Sequence, residues 1–272
     1  MLFEIITLLS ATALTIHGLT SFWPVHNWYD FYRPLVLAIG GYLLGLLLVI
    51  LWLAIITTFI DKNKEYNKVS KWSRFWFTTG LQYINAHSLA LPKFKGLEKL
   101  PKNERYLLVC NHKSRFDSMI ISEHLAKQDI AFITKRSNEK IPWGGKLFKT
   151  LCYLSIDRDD KLQSLTQFKK ASNYLTNGIC NIGVFPEGTR KDEDVILGDF
   201  HEGVFNIALK SQKPIVIITS KNTPNIHKNF PFKFTKVMFE VVGVIPYEEI
   251  SDKPAIEVSN MVHQIMYENL TK

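Results

Sequence analysis

An uncharged apolar segment near the start of the chain most constrains what this protein can fold into. Residues 35–60 carry no charged side chain and consist mostly of Leu, Ile, Val and Ala. As a helix, this segment would span roughly 39 Å, which is enough to cross a bilayer with some tilt. A soluble helix of this length almost always shows a polar stripe, which makes a buried core helix the weaker interpretation. The segment therefore predicts a transmembrane helix.

A second apolar segment, residues 2–22, precedes the first and carries Glu4 and His17. We interpret it as a weaker span that forms a hairpin with the first. No Lys or Arg precedes the apolar run, which argues against a cleavable signal peptide. The Gly41-x-x-x-Gly45 pair could mark a contact between the two helices. Aromatic residues of the kind found at membrane interfaces lie between the segments: Trp23, Trp28, Tyr29, Phe31 and Tyr32.

Positive charge gives the expected orientation. Only Arg33 precedes the main span closely, whereas five basic residues follow it: Lys62, Lys64, Lys68, Lys71 and Arg74. By the positive-inside rule, residues 1–60 form a membrane anchor and residues 61–272 a cytoplasmic domain. The formal net charge of +8 fits contact with anionic lipid headgroups. The sequence has no dense Lys/Arg run and no aromatic-basic module, which makes nucleic-acid binding the weaker interpretation.

The rest of the chain alternates short apolar runs with helical patterns. Continuous apolar strands separated by helices predict an α/β sheet that is covered on both faces. The expected strands are 107–110, 130–134, 153–156, 182–185, 214–219 and 237–245, and the expected helices are 118–126, 162–175, 203–209 and 255–269. The cysteines Cys110, Cys152 and Cys180 lie in or beside apolar runs without metal-ligand spacing, which indicates reduced thiols.

The candidate catalytic pair is His112 and Asp117, which follow the apolar run 107–110. An imidazole at the end of a strand can accept a proton near neutral pH. A carboxylate one helical turn further on can fix its tautomer and stabilise the imidazolium. The spacing alone is weak evidence, since a helix cap and a surface His give the same pattern.

Two further motifs support a site at the ends of strands. Asp157-Arg158 ends one strand, and an Arg guanidinium can hold a phosphate with two parallel hydrogen bonds. Another strand runs into Pro186-Glu-Gly-Thr-Arg190, where Gly188 permits an unusual turn and Glu187 and Arg190 bring opposite charges. A fourth motif, residues 213–219, is best described as a core strand that begins with a Pro.

These four motifs resemble those of the lysophospholipid acyltransferase superfamily, most closely bacterial 1-acyl-sn-glycerol-3-phosphate acyltransferases. The resemblance covers roughly residues 61–246. The first motif, Asn111-His-x-Ser-x-x-Asp117, matches well, and the third, residues 185–190, matches without a change. The second has Cys152 where the family usually has Gly and Ser155 where it usually has Phe. The fourth keeps Pro214 but has Ile217 where a second Pro is usual.

The resemblance implies a glycerolphosphate-acyltransferase-like mixed sheet flanked by helices, and an acyl transfer from a thioester to the free hydroxyl of a lysophospholipid. His112 would be the general base, and Asp117 would orient it. The phosphate would be held by Arg158 and Arg190 with Lys135. Glu187 would bind or position the glycerol part, and Gly188 and Thr189 would be further substrate-binding residues. Backbone N–H groups near Gly188 could serve the oxyanion. The expected partners are membrane lipids and an acyl-CoA or acyl carrier protein, with no cofactor and no metal.

Three alternatives stay open at this point. The acceptor could be another lysolipid or polar lipid. The chain could be a non-catalytic membrane scaffold that keeps the fold, although the intact motifs argue against it. It could also be a metal hydrolase with His112, Asp117 and Glu187 as ligands, which activity in the presence of a chelator would dismiss.

Overall fold

The computed structural model describes residues 2–21, 32–61, 64–157, 159–192 and 194–272. The chain forms two compact units, residues 1–62 and residues 63–272. Several residues with predicted roles lie outside the described residues: Trp23, Trp28, Tyr29, Phe31 and Arg158.

The first unit contains two helices, α1 (Leu2–Ser21) and α2 (Tyr32–Thr58). Both are long and apolar enough to cross a membrane, judged by length and composition. Their outward faces expose large apolar side chains, of which Leu9 and Leu35 are each 63% exposed.

Glycines let α1 and α2 pack closely. A Cβ added to Gly45 would lie 2.7 Å from the Cα of Thr7, and one added to Gly41 would lie 2.7 Å from the Cα of Ala11. Later residues of α1 thus meet earlier residues of α2, which makes the helices antiparallel. The predicted hairpin is confirmed, and the glycine pair that the sequence singled out lies in its contact.

The second unit is built around a seven-stranded sheet with the order β1-β7-β6-β2-β5-β3-β4. The pairing is parallel except between β6 and β7, so the sheet is mixed, as the resemblance implied. The strands are β1 (Ala90–Lys95), β2 (Leu107–Cys110), β3 (Ile130–Lys135), β4 (Leu154–Ile156), β5 (Asn181–Val184), β6 (Ile215–Lys221) and β7 (Thr235–Ile245).

Helices cover both faces of the sheet. They are α3 (Lys71–His87), α4 (Phe116–His124), α5 (Gly144–Thr150), α6 (Lys161–Thr176), α7 (Asn206–Ser211), α8 (Asn225–Asn229) and α9 (Ala255–Leu270). Successive residues of a strand point to opposite faces. Accordingly, Leu107 and Val109 belong to one apolar core, and Leu108 and Cys110 to another. This division explains why β2 is apolar at every position.

The sheet topology brings the ends of four strands to one edge. β2 runs parallel to both β5 and β6, and β3 runs parallel to β5. The residues that follow β2, β3, β5 and β6 therefore emerge on the same side of the sheet. We call this side the carboxyl edge.

Cys152 shows how the chain accommodates a departure from the family pattern. Its φ is 62°, in the left-handed region that favours glycine. The residue is buried, and its thiol contacts the carbonyl oxygen of Tyr66 at 3.5 Å. The backbone at this position thus keeps a glycine-like conformation although the side chain has changed.

Candidate active site

His112 and Asp117 lie together at the carboxyl edge. His112 follows β2 by two residues, and Asp117 lies in the first turn of α4. The imidazole Nδ1 is 3.1 Å from Asp117 Oδ2. The Asp117 side chain is fully buried, whereas that of His112 is 18% exposed. An ionised carboxylate can only accept, so Nδ1 carries the proton and Nε2 is left as the basic nitrogen.

The start of α4 fixes the carboxylate. Oδ2 of Asp117 also accepts the backbone N–H groups of Lys113 and Ser114, at 2.8 and 2.7 Å. Ser114 Oγ in addition accepts the N–H of Phe116. These side chains therefore satisfy backbone N–H groups at the start of α4. The helix cap and the catalytic pair are therefore one structure, and cap formation orients the carboxylate towards the imidazole.

Thr223 completes the surroundings of Asp117 and was not identified from the sequence. It lies in the turn after β6, and its hydroxyl donates to Asp117 Oδ1 at 2.6 Å. Both side chains are fully buried. Asn111 ties the same two strand ends together, because its amide exchanges two hydrogen bonds with the backbone of Ser220. The residues after β6 therefore belong to the site.

Glu187 is engaged with the protein's own backbone. Its side chain is buried, Oε1 accepts the N–H of His112 at 2.6 Å, and Oε2 accepts the N–H of Gly198 at 2.9 Å. The carbonyl of His112 in turn accepts the N–H of Lys191 at 3.1 Å. The loop after β5 thus holds the main chain of His112 from both sides. The contact with glycerol that the resemblance implied for Glu187 stays a prediction.

The turn around Gly188 has a conformational role. Gly188 has φ 70°, and a Cβ there would lie 2.7 Å from the His201 ring. Its N–H donates to the carbonyl of Phe185, and that of Thr189 donates to the carbonyl of Glu187. These two N–H groups are occupied within the turn, so in this geometry they are not free to bind an oxyanion.

Cationic side chains also lie at the carboxyl edge. Arg190 is exposed just beyond the Gly188 turn, and Lys135 is the exposed last residue of β3. The pKa of His227 is lowered by partial burial and then by the positive charges of Arg115 and Arg190, so both guanidinium groups act on this ring. The His227 ring also contacts Phe116 with centroids 5.1 Å apart. Positive potential therefore gathers beside the start of α4.

The nucleophilic side chains closest in sequence to His112 are unsuited to covalent catalysis. Burial, and then the charge of Asp117, raises the pKa of the Cys110 thiol well above its usual value. Ser114 is buried, and its oxygen caps α4. The imidazole itself stacks on Phe185, with ring centroids 4.1 Å apart. This arrangement can remove a proton from a hydroxyl group that the protein does not itself supply.

Several known proteins are similar to this chain. The Acyltransferase family model matches residues 92–221, a range that contains the His112 and Glu187 motifs. The 1-acyl-sn-glycerol-3-phosphate acyltransferase alpha of Homo sapiens is 27% identical over 170 residues, 60% of this chain and 58% of the relative. The 1-acyl-sn-glycerol-3-phosphate acyltransferase of Salmonella typhimurium is 27% identical over 119 residues, 44% of this chain and 48% of the relative. The chain thus spans about half to three fifths of the length of these curated relatives.

A solved structure shares the fold over almost the whole chain. The 1-acyl-sn-glycerophosphate (LPA) acyltransferase PlsC from Thermotoga maritima has a TM-score of 0.60 at 19% identity, and the match covers 97% of this chain and 95% of that one. The fold class expected from the sequence is thereby confirmed. The motifs, the family model and the named relatives agree with one another, and the chain is similar to acyltransferases over the region that carries these motifs.

Proposed function

We propose that this protein is an O-acyltransferase that moves a fatty acyl group from an acyl thioester to the free hydroxyl of a lysophospholipid. The best-supported acceptor is 1-acyl-sn-glycerol 3-phosphate, which would give phosphatidic acid. The observation that carries the proposal is the hydrogen-bonded pair of His112 and buried Asp117 at 3.1 Å. The acceptor follows from the named activity of the relatives and from the cations beside the pair.

The proposed reaction needs one base and no protein nucleophile. Nε2 of His112 takes the proton of the acceptor hydroxyl as its oxygen attacks the thioester carbonyl. The tetrahedral intermediate then expels the thiolate, which receives the proton from the imidazolium. Asp117 keeps Nδ1 protonated and stabilises the charge that develops on the ring. The step uses no cofactor beyond the acyl-CoA or acyl carrier protein that brings the acyl group.

Positive charge near the pair supports binding of the acceptor's phosphate. Arg190 follows the Gly188 turn on the carboxyl edge, and Lys135 ends β3 on the same edge. Guanidinium groups bind phosphate oxygens with two parallel hydrogen bonds. We assign the phosphate to Arg190, with Lys135 and Arg158 as further contacts.

The N-terminal hairpin serves this reaction as a membrane anchor. Helices α1 and α2 are long enough to span a bilayer and expose Leu and Ile on their outer faces. The basic residues after α2 support a cytoplasmic position for the catalytic unit, by the positive-inside rule. An anchored enzyme meets a lipid acceptor whose acyl chain remains in the leaflet.

An acceptor panel tests the proposal. The purified full-length protein in nanodiscs is given a long-chain acyl-CoA or an acyl carrier protein thioester, together with lysophosphatidate, lysophosphatidylcholine, lysophosphatidylglycerol or glycerol 3-phosphate. We expect the fastest thiol release with lysophosphatidate and a phosphatidic acid product. A clear preference for another acceptor would replace the substrate assignment, and the absence of transfer to every acceptor would contradict the proposed activity. Activity that persists in a chelator would dismiss the metal hydrolase.

A further inference from the structure

A loop at the carboxyl edge exposes three aromatic rings to solvent. It consists of residues 230–234, and we call it the aromatic loop. Phe230 is 53% exposed, Phe232 95% and Phe234 61%. Large apolar side chains that cluster on a surface in this way mark sites of interaction, since folded proteins rarely leave them uncovered.

The aromatic loop is part of the same chain segment as the catalytic surroundings. This segment leaves β6 at Lys221, passes through α8 and enters β7 at Thr235. β7 is antiparallel to β6, so the whole connection lies at the carboxyl edge with His112. Thr223 within it holds Asp117, and His227 contacts Phe116. Whatever binds the loop therefore lies at the edge that also holds the catalytic pair.

Charge identifies the kind of surface that the loop fits. The chain carries no Asp or Glu between Glu202 and Glu240. Lysines at positions 228, 233 and 236 flank or interrupt the exposed rings, and all three are exposed. Aromatic rings mixed with lysines suit the headgroup region of an anionic bilayer, where the rings enter the interface and the ammonium groups meet phosphates. A second copy of this chain, with its own formal net charge of +8, would be repelled.

We propose that the aromatic loop is a membrane-contact element, which places Phe230, Phe232 and Phe234 among the headgroups of an anionic bilayer. This contact is additional to the N-terminal hairpin and does not depend on acyl transfer. It would hold the carboxyl edge against the surface in which lipids reside.

Fluorescence at the loop tip tests the proposal in the full-length protein. The three native cysteines are buried, so a cysteine introduced as Phe232→Cys can be labelled selectively with an environment-sensitive dye. Asn103→Cys is the matched control, because residue 103 is exposed and precedes β2, at the opposite edge of the sheet. Both proteins are reconstituted in nanodiscs that contain phosphatidylglycerol, with and without lipids that carry a quencher near the headgroup.

We expect blue-shifted emission and about twofold or greater quenching at position 232, with neither effect at position 103. Water-like emission at both positions would overturn the proposal. A blue shift at position 232 without quenching by the lipid-borne quencher would also overturn it, because the dye would then be covered by protein.

Reversing the charge of the three lysines gives an independent test. The combined variant Lys228→Glu, Lys233→Glu and Lys236→Glu should reduce the quenching at position 232 by about half or more. Unchanged quenching would refute the role of charge. The same measurement in a His112→Ala background separates this inference from the proposed reaction, since loss of catalysis should leave the quenching intact.

Discussion

The substitution Glu187→Gln separates a structural role for this carboxylate from a substrate-binding role. Glu187 is buried, and its two oxygens accept the N–H groups of His112 and Gly198 at 2.6 and 2.9 Å. Glutamine has nearly the same shape but offers only one oxygen. In either orientation of the amide, an NH₂ group faces a backbone N–H, so one donor loses its partner.

The cost of that change can be worked from the contacts. A buried donor left without a partner costs about 1–3 kcal/mol. If the whole penalty falls on the transition state, kcat drops about 5- to 150-fold, because each 1.36 kcal/mol changes a rate tenfold. The KM for lysophosphatidate should stay within about twofold of the wild-type value, since only interactions specific to the transition state are lost.

The assay measures thiol release from acyl-CoA while lysophosphatidate is varied, with the protein in nanodiscs. Glu240→Gln is the control, because Glu240 on β7 is a half-buried carboxylate that accepts a hydrogen bond from Asn269 of α9 and does not contact the catalytic pair. A Glu187→Gln variant with normal kcat and a raised lysophosphatidate KM would refute the structural role. That result would favour direct contact between Glu187 and the acceptor.

Three further predictions concern other parts of the molecule. Thr223→Val removes a buried hydroxyl that donates to the catalytic carboxylate, and it should lower kcat about 10- to 150-fold at constant KM. Thr223→Ser, which keeps the hydroxyl, should be near normal, and an equal loss of kcat in both variants would contradict a role for the hydroxyl. Arg190→Ala should raise the KM for lysophosphatidate about tenfold, whereas Lys102→Ala, at the edge of the sheet opposite the carboxyl edge, should not change it. A change confined to the KM for acyl-CoA would overturn the assignment of Arg190 to the phosphate. Gly45→Leu should lower the free energy of unfolding in detergent by about 1–3 kcal/mol, because the new Cβ would meet the backbone of α1. Gly40→Leu should not, because a Cβ at Gly40 would have no atom within 4 Å. Equal stability of the two variants would contradict the close helix contact.

The sequence predicted the elements whose pattern is local. β2 is found at the residues expected, because four successive apolar side chains are buried between two cores. The strand β1 was missed because its burial alternates and it contains Pro92 and two lysines. Such a pattern resembles a loop, although it suits a strand at the edge of a sheet, as β1 is.

The site was predictable only in part, for a related reason. His112 and Asp117 are five residues apart, and the backbone N–H of Ser114 that helps to fix the carboxylate is only three residues from Asp117. Thr223 lies 106 residues beyond Asp117, and nothing in a single sequence links the two. The contact from Glu187 to the His112 backbone is equally hidden, since a main-chain N–H has no sequence signature.

In the proposed reaction, His112 deprotonates a lipid hydroxyl for direct acyl transfer. The most direct test of this step is the rate at which radiolabelled acyl-CoA and lysophosphatidate yield phosphatidic acid with the wild-type protein and with His112→Ala, both in nanodiscs and with matched melting temperatures. We expect the wild-type protein to form phosphatidic acid and His112→Ala to form it about 10²- to 10⁴-fold more slowly, because a general base is lost. Near-normal formation of phosphatidic acid by His112→Ala would show that His112 is not the base.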